Sequence, residues 1–385
     1  MVLTRRAHRA RMLITLWLPN EVLTEIIRHA TTPDQATFCR VSKLFHGLVL
    51  PIVNRAIFLD LVDKQGRPYD RILKNLMQSF IRNPGRADAV RSLTFLRTPD
   101  HVAQVNYDLL FETMKLMKNL ECLSLNDFRD NTIPTRLAGL TFPNLSWCRI
   151  MVTNIRVPSA ATDFAKFLGQ HPSIVRLFLW APPLFSATNS LEPGLTFLPN
   201  LRHYQGSGMF LDRLSTRCLQ AARFATHDLR IESDVQALRP LTNPDLPFVL
   251  SLEFLIWGSD NPIQTILLPL TVQFPHIWNL QLRAYDTDLL GMTALDHVTT
   301  HLPRFTQIVY FALTYANRKL RFAVDAESDD AAFETWAATC PTLKGCCIGE
   351  VARRKVGEEW ERWSVEDFDQ QAGFSVFDPI LSADE

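Results

Sequence analysis

His297 and His301 stand four residues apart, the spacing that puts two imidazoles on one helix face and can hold a metal ion. They lack an obvious third ligand beside them, so an ordinary amphipathic helix and no metal are expected. Cys340, Cys346 and Cys347 lack the paired C-x-x-C arrangement of a zinc site, and Cys346 falls at a buried repeat position, which predicts packed thiols. A P-loop, a G-x-G-x-x-G, a G-x-S-x-G elbow and an H-E-x-x-H are all missing from the sequence. The run Arg353-Arg354-Lys355 against Glu358-Glu359 reads as a solvated hairpin. No catalytic residues and no cofactor are therefore expected, and the chain is not read as an enzyme.

The chemistry that remains is recognition. Trp147, Arg149 and Met151, then Arg176, Phe178 and Trp180, then His203 and Gln205 sit at every second position of three successive strand-like segments. Side chains alternate along a strand, so these residues share one face, and Trp, Tyr and Arg dominate binding hot spots. Trp147, Arg149, Arg176, Phe178 and Trp180 are the expected target-binding set. Two covers suit such a patch: a partner protein, or the chain's own segment from Ala181 to Glu192.

The elements that position this face come from a recurring pattern: apolar, two variable, apolar, one variable, apolar. Its first positions align at Val90, Leu120, Leu145, Ile174, Leu201, Thr226, Leu252, Ile277, Phe305 and Leu343. Most intervals match the period of leucine-rich repeats, roughly 20 to 29 residues. NLECLSLND at 119–127 and HIWNLQLRA at 276–284 are the clearest copies; RHYQGSGMF at 202–210 and THDLRIESD at 226–234 are degenerate. Helical stretches are expected at Tyr107 to Met117, Ala160 to Leu168 and Leu289 to Leu302. A strand returning through a helix in this way winds a right-handed solenoid with one curved parallel sheet over Val90 to Ile348. Leu123, Leu125, Leu177, Leu179, Leu280 and Leu282 should then face the core, and Ser124, Phe178 and Gln281 the concave side. AESDDAA at 326–332 reads as an exposed insertion, and 342–365 as a hairpin capping the open edge with Trp360 and Trp363.

The amino-terminal stretch 18–58 has a different period. Val22, Leu23, Ile26, Ile27 and Ala30 repeat at helical spacing. Thr32 as N-cap with Pro33, Asp34 and Gln35 starts a second helix carrying Phe38, Cys39 and Val41. Ser42 caps a third with Leu44, Phe45, Leu48 and Val49, closed by Pro51. Three helices of this size rarely support a core alone, so the module must lean on something. Leu18-Pro19-x-Glu21-Val22-Leu23 with Ile26-Ile27, then Val41-Ser42-Lys43, resembles the F-box, and Pro51-Ile52-Val53-x-Arg55-x-Ile57 resembles fungal F-box proteins. The resemblance implies docking on the Skp-type adaptor of a cullin-RING ubiquitin ligase, with Leu18, Pro19, Val22, Leu23, Ile26, Val41 and Phe45 as the contact set. The stretch before Val41 is short and has Ala36-Thr37-Phe38 where the family places leucines, so the second helix should pack less tightly. The other reading of these apolar residues is a local core against 59–89.

Composition sets the frame. Forty basic and forty acidic residues cancel over 385, and 47% of residues are hydrophobic, which suits a folded chain and gives no global pull toward nucleic acid or anionic lipid. Neither is an expected partner. Pro269, Pro275, Gln273 and His276 interrupt the richest apolar stretches, so no membrane span is expected. Leu18-Pro19-Asn20-Glu21 follows the short apolar start where a signal peptide would have small residues, and the seven scattered cysteines fit a reducing compartment, cytoplasmic, nuclear or both. The absence of acids before Glu21 suits an organelle presequence, but the next residues already read as folded domain.

The expected layout is α/β: a basic arm at 1–15, a three-helix F-box at 16–58, a helical linker or first repeat helix at 59–89, a leucine-rich-repeat solenoid at 90–351, and a cap and tail at 352–385. The function this implies is a substrate-recognition subunit of an SCF-type ubiquitin ligase that holds an unknown target protein. The alternative is a repeat scaffold without a ligase role.

Overall fold

The computed structural model describes residues 18–60, 70–97, 107–128, 132–152, 159–180, 196–227, 231–255, 262–284, 292–315, 326–357 and 359–377. They fall into two units, Met1–Asp127 with Gly139–Leu145, and Phe128–Ala138 with Ser146–Glu385. The basic arm, the 181–192 cover and the tail from Asp378 lie outside the described residues.

In the first unit, helices α1 (Asn20–Arg28), α2 (Thr32–Phe38) and α3 (Lys43–Val53) form the amino-terminal module. The cap of α2 is Thr31, one residue earlier than expected: its hydroxyl accepts from the Asp34 amide, and Thr32 and Pro33 are already helical. Gln35 does not complete a capping box. Its side-chain amide donates to the carbonyls of Ile27 and Ala30, both at 3.0 Å, and so satisfies the end of α1. Ser42 caps α3 as expected. Pro51 lies inside α3 rather than ending it, because only its own amide is lost and Asn54 still reaches the Leu50 carbonyl through backbone and side chain.

Strands β1 (Ala56–Asp60), β2 (Ser92–Arg97) and β3 (Cys122–Phe128) then pair in parallel, with Ile57, Leu93 and Leu123 in one row. The ladder thus starts at Ala56, before the first expected repeat. Between these strands run α4 (Asp70–Arg82), α5 (Pro84–Asp88) and α6 (Tyr107–Met114), and α4 packs against α6. Met77, Phe80, Leu93, Phe95, Phe111, Met114, Leu123 and Leu125 are buried together in the core of this unit.

The second unit repeats the scheme. Helix α7 (Ile133–Leu137) precedes β4 (Trp147–Val152), α8 (Ser159–Gly169) and β5 (Arg176–Trp180); a two-residue strand β6 (Thr196–Phe197) pairs with β8 (Leu214–Ser215) on either side of β7 (His203–Ser207). There follow β9 (Ala221–His227), α9 (Ile231–Leu238), β10 (Val249–Leu255), α10 (Pro262–Gln273), β11 (Asn279–Ala284), α11 (Met292–His301), β12 (Tyr310–Tyr315), α12 (Ala326–Thr339) and β13 (Gly345–Ile348). The sheet order is β4-β5-β7-β9-β10-β11-β12-β13, every neighbour parallel. Leu177, Leu179, Leu280 and Leu282 are buried, in the expected register.

Polar residues just ahead of the strands tie successive turns together. Asn200 donates to the Pro172 carbonyl, Thr306 to Pro275 and Thr342 to Ile308, at 3.0, 3.1 and 2.7 Å. Each bond satisfies a carbonyl that no ladder reaches.

Three repeat positions shift phase. The ladder partners Tyr204, Ala222, Leu250, Leu280 and Phe311 show that Thr226, Leu252 and Phe305 are not the starts of their units; Leu219 and Ile308 occupy that place in two of them. Of the segment read as THDLRIESD, Thr226 and His227 end β9 and Ile231 to Asp234 start α9. Only eighteen residues separate Tyr204 from Ala222, too few for a full return helix, and a 3-10 turn at Gly208–Arg213 stands there instead. Gly206 is required in β7: its φ is 149°, and a Cβ would lie 1.8 Å from the Leu179 carbonyl oxygen. AESDDAA is likewise not an insertion but the start of α12. Trp336 of that helix is buried edge-on against Phe311 at 5.3 Å and donates to the Thr299 hydroxyl at 2.8 Å.

The sheet edge turns antiparallel through β14 (Val351–Val356) and β15 (Glu359–Trp363), as the hairpin reading expects. The chain then folds back. Ser364 caps α13 (Val365–Gln371), Gly373 ends it at φ 74°, and a 3-10 turn at Phe374–Phe377 follows. Phe368 is fully buried, at 6.0 Å from each of the rings of Tyr310, Trp363 and Phe374, over a floor of Ala312, Cys347 and Ala352. Phe368→Ala should therefore lower unfolding stability by about 3–5 kcal/mol in urea titration, while Val272→Ala on an exposed face of α10 should stay within about 0.5 kcal/mol. Equal midpoints would contradict this packing.

Candidate functional site

Two surfaces gather the residues singled out above, one in each unit. In α1 the apolar positions split into two stripes. Leu23 and Ile27 turn inward, 4% and 0% exposed, and share the core with Val49 of α3. Val22 and Ile26, four residues apart, stay outward at 42% and 51% exposure, and Leu18, ahead of the helix, is 36% exposed. Val41 and Leu44 are exposed as well, and Pro19 forms the N-cap of α1. Phe45 is half-buried and stacked on Phe38 at 5.7 Å. Of the seven residues expected to contact an adaptor, Leu23 is thus a core residue, Phe45 is shared, and the other five are open to solvent. Leu44, which the contact set omitted, joins the open group.

The second surface is the sheet face opposite the leucines. Trp147, Arg176 and His203 are direct ladder neighbours in one row; Arg149, Phe178 and Gln205 form the next; Met151 and Trp180 the third. All eight are half-buried. The Arg149 guanidinium lies 4.4 Å from the centre of the Phe178 ring, a cation–π geometry. Its Nε is buried without a hydrogen-bond partner, and burial lowers its pKa from the ordinary arginine value. His203 is held down to about 4 by burial and by the positive charges of Arg176 and Arg202, and its Nδ1 also lacks a partner.

Further along the same face the surroundings change. Arg223 donates through Nε to the Ser251 hydroxyl at 3.3 Å and through Nη2 to the Phe374 carbonyl at 3.4 Å, and its guanidinium sits 4.8 Å from the Phe377 ring. Ser251 donates to Gln281 at 2.7 Å, and Asn279 donates to the Ala372 carbonyl at 2.8 Å. Arg283 and Glu253 form a partly buried ion pair at 2.6 Å. Gln281, expected on an open concave side, occupies that face but is only 4% exposed, because the carboxy-terminal segment covers it. Ser124 is buried too, and Phe178 is half-exposed as the alternation requires. The cover built by Phe368, Phe374 and Phe377 carried no repeat signal and was not anticipated; the closely spaced phenylalanines in FDQQAGFSVF were its only trace.

The remaining candidates are structural. His297 and His301 share α11, with His301 buried and its pKa lowered by burial and by Arg304 and His297. Among the described residues no group of three His, Cys, Asp or Glu comes close enough to hold a metal. Cys340, Cys346 and Cys347 are buried thiols, and burial pushes Cys346 well up. Among the described residues no helix is long and apolar enough to cross a membrane.

Compared with known protein families, residues 16–50 match the F-box domain. The chain carries an F-box there, in the module whose outward stripe is described above. No curated protein matches the sequence.

His203 supplies a test of the second surface. It stays neutral in the fold down to about pH 4, whereas the unfolded chain takes up its proton near 6.5. The unfolded state therefore binds more protons in that window, and stability should fall as pH drops from about 6.5 to about 4. Buried His171 acts in the same direction. In urea titrations across this range, His203→Gln should flatten the slope; an unchanged slope would show that His203 is not held in this environment.

Proposed function

We propose that this chain is an F-box protein with leucine-rich repeats, acting as the substrate-recognition subunit of an SCF-type cullin-RING ubiquitin ligase. The observation that carries the reading is the pair Val22 and Ile26, exposed on the helix that the F-box match includes, with Leu18 exposed just ahead of it. Apolar side chains at helical spacing that no described residue covers are what a helical adaptor buries, and exposing them without a partner is unfavourable. Pro19, Val41, Leu44 and the rim of Phe45 extend the contact, and Leu23 holds α1 in place behind it.

On this reading the strand-and-helix units from Val90 to Val351 are degenerate leucine-rich repeats wound as a solenoid, and the face with Trp147, Arg149, Arg176, Phe178 and Trp180 takes the target protein. The parallel ladder, its recurring return helices and the half-buried arginines and aromatics on the adjacent strands β4 and β5 support this. The chain catalyses nothing itself. It brings target lysines near the charged conjugating enzyme, raising their effective concentration. Adaptor and target are its partners, and residence in the cytoplasm or nucleus follows from that role.

The test uses residues that the fold does not need. Replacing Val22, Ile26 and Val41 together by serine should leave the melting temperature within a few degrees, since all three are solvent-exposed. If each loses about 1 kcal/mol or more of apolar burial at the interface, adaptor affinity should drop by at least about a hundredfold. Pull-down with a purified Skp-type adaptor measures it. A folded triple variant that binds the adaptor undiminished would overturn the assignment.

A further inference from the structure

Along one face of the second unit, arginines meet two different fates. Over β9 to β11 each has a partner: Arg223 is bonded to Ser251 and to the Phe374 carbonyl, and Arg283 is paired with Glu253. Over β4 and β5, Arg149 and Arg176 have no ion pair or hydrogen bond among the described residues, and Arg149 keeps a buried Nε unpaired. Exposed Arg202 precedes β7, and its charge together with that of Arg176 is felt at His203. A half-buried guanidinium without an ion pair or hydrogen bond loses hydration, and at Arg149 only the Phe178 ring offsets part of that loss. Aromatic surface from Trp147, Phe178 and Trp180 is interleaved with these charges.

The carboxy-terminal segment bounds this strip. Phe374 and Phe377 cover Arg223 on β9, the strand next to β7, so among the described residues the half-buried strip over β4, β5 and β7 ends at a wall of the chain's own making. Three strands at about 4.8 Å spacing make a floor about 10 Å wide, room for one extended or helical peptide segment rather than a whole protein domain.

We propose that this strip binds an acidic peptide segment of the target, with Asp or Glu carboxylates on Arg149 and Arg176 and an apolar side chain between Trp147, Phe178 and Trp180. This rests on the reading of the face as the target site and adds the class of sequence it selects. Carboxylates fit better than a phosphate group because the two arginines stand on different strands and in different rows, so separate anions are served rather than one convergent site. Planar guanidinium forks match carboxylates in two-bond geometry, and stacking on Phe178 holds one fork in place before binding.

The test is selection from a displayed library of random short peptides on the full-length protein. Enriched sequences should carry net negative charge next to a large apolar residue. A selected peptide should lose about tenfold or more in affinity when its acids become Gln or Asn, and should weaken as salt rises. Arg149→Gln with Arg176→Gln should abolish the enrichment with the melting temperature unchanged. Neutral or basic winners, no enrichment, preference only for phosphoserine-containing versions, or stronger capture of a single-stranded RNA oligonucleotide would each overturn the proposal. The wild-type arms decide it even if the double variant unfolds. Failure of the ligase reading shows separately, as loss of adaptor binding by the wild-type chain.

Discussion

A β-strand presents successive side chains to opposite faces, and a parallel ladder built through return helices covers only one of them. In the β4–β13 ladder that covered face takes Leu177, Leu179, Leu280 and Leu282, and the helices behind it fill with Phe167, Leu267 and Trp336. The opposite face is left to be solved otherwise. Over β9 to β13 the chain solves it with its own carboxy-terminal segment, and Arg223, Ser251 and Gln281 become a bonded network beneath Phe374. Over β4 and β5 the same face keeps Trp147, Arg149, Phe178 and Trp180 half-buried, and among the described residues the buried Arg149 Nε has no hydrogen-bond partner. The contrast between these halves, on one ladder with one register, is the feature on which the proposed recognition surface rests.

The amino-terminal module obeys a related constraint at helical period. Helix α1 has apolar residues around more of its circumference than its own unit can cover. Leu23 and Ile27 go inward with Val49, and Leu18, Val22 and Ile26 remain outward. Gln35 bonds the end of α1 to the start of α2, so the outward stripe is presented on a fixed helix rather than a fraying end. Both surfaces thus arise from the same rule: periodic apolar patterning specifies two faces, and local packing satisfies one.

Where the pattern was strong it was legible in sequence. HIWNLQLRA reads correctly to the residue because Leu280 and Leu282 alternate with polar side chains, and Ser42 capped its helix where a serine before an apolar run should. Thr226 misled because β9 carries Ala222 where β10 and β11 carry Leu250 and Leu280, so the apolar pattern slipped to a later run. AESDDAA looked like an insertion because its charges precede the buried Phe333 and Trp336, which anchor the helix from its other end. The caps of α2 were shifted by one because Thr31 and Thr32 are equivalent by type and only the backbone distinguishes them. The shared face of Trp147, Arg149, Arg176, Phe178 and Trp180 was found by alternation alone. Its limit, the Phe374–Phe377 wall, was not, since nothing local links Phe374 to Arg223 across so long a stretch of chain.

The claim that the chain delivers bound proteins for ubiquitination is tested most directly by protein half-life in cells. Proteins that co-purify with the chain should persist longer when it is removed. They should regain their short half-lives when the wild-type chain is restored, and stay long-lived when the variant with serine at positions 22, 26 and 41 is restored, although that variant still captures them. Half-lives that are the same in all three conditions would contradict the account and leave a binding protein without a ligase.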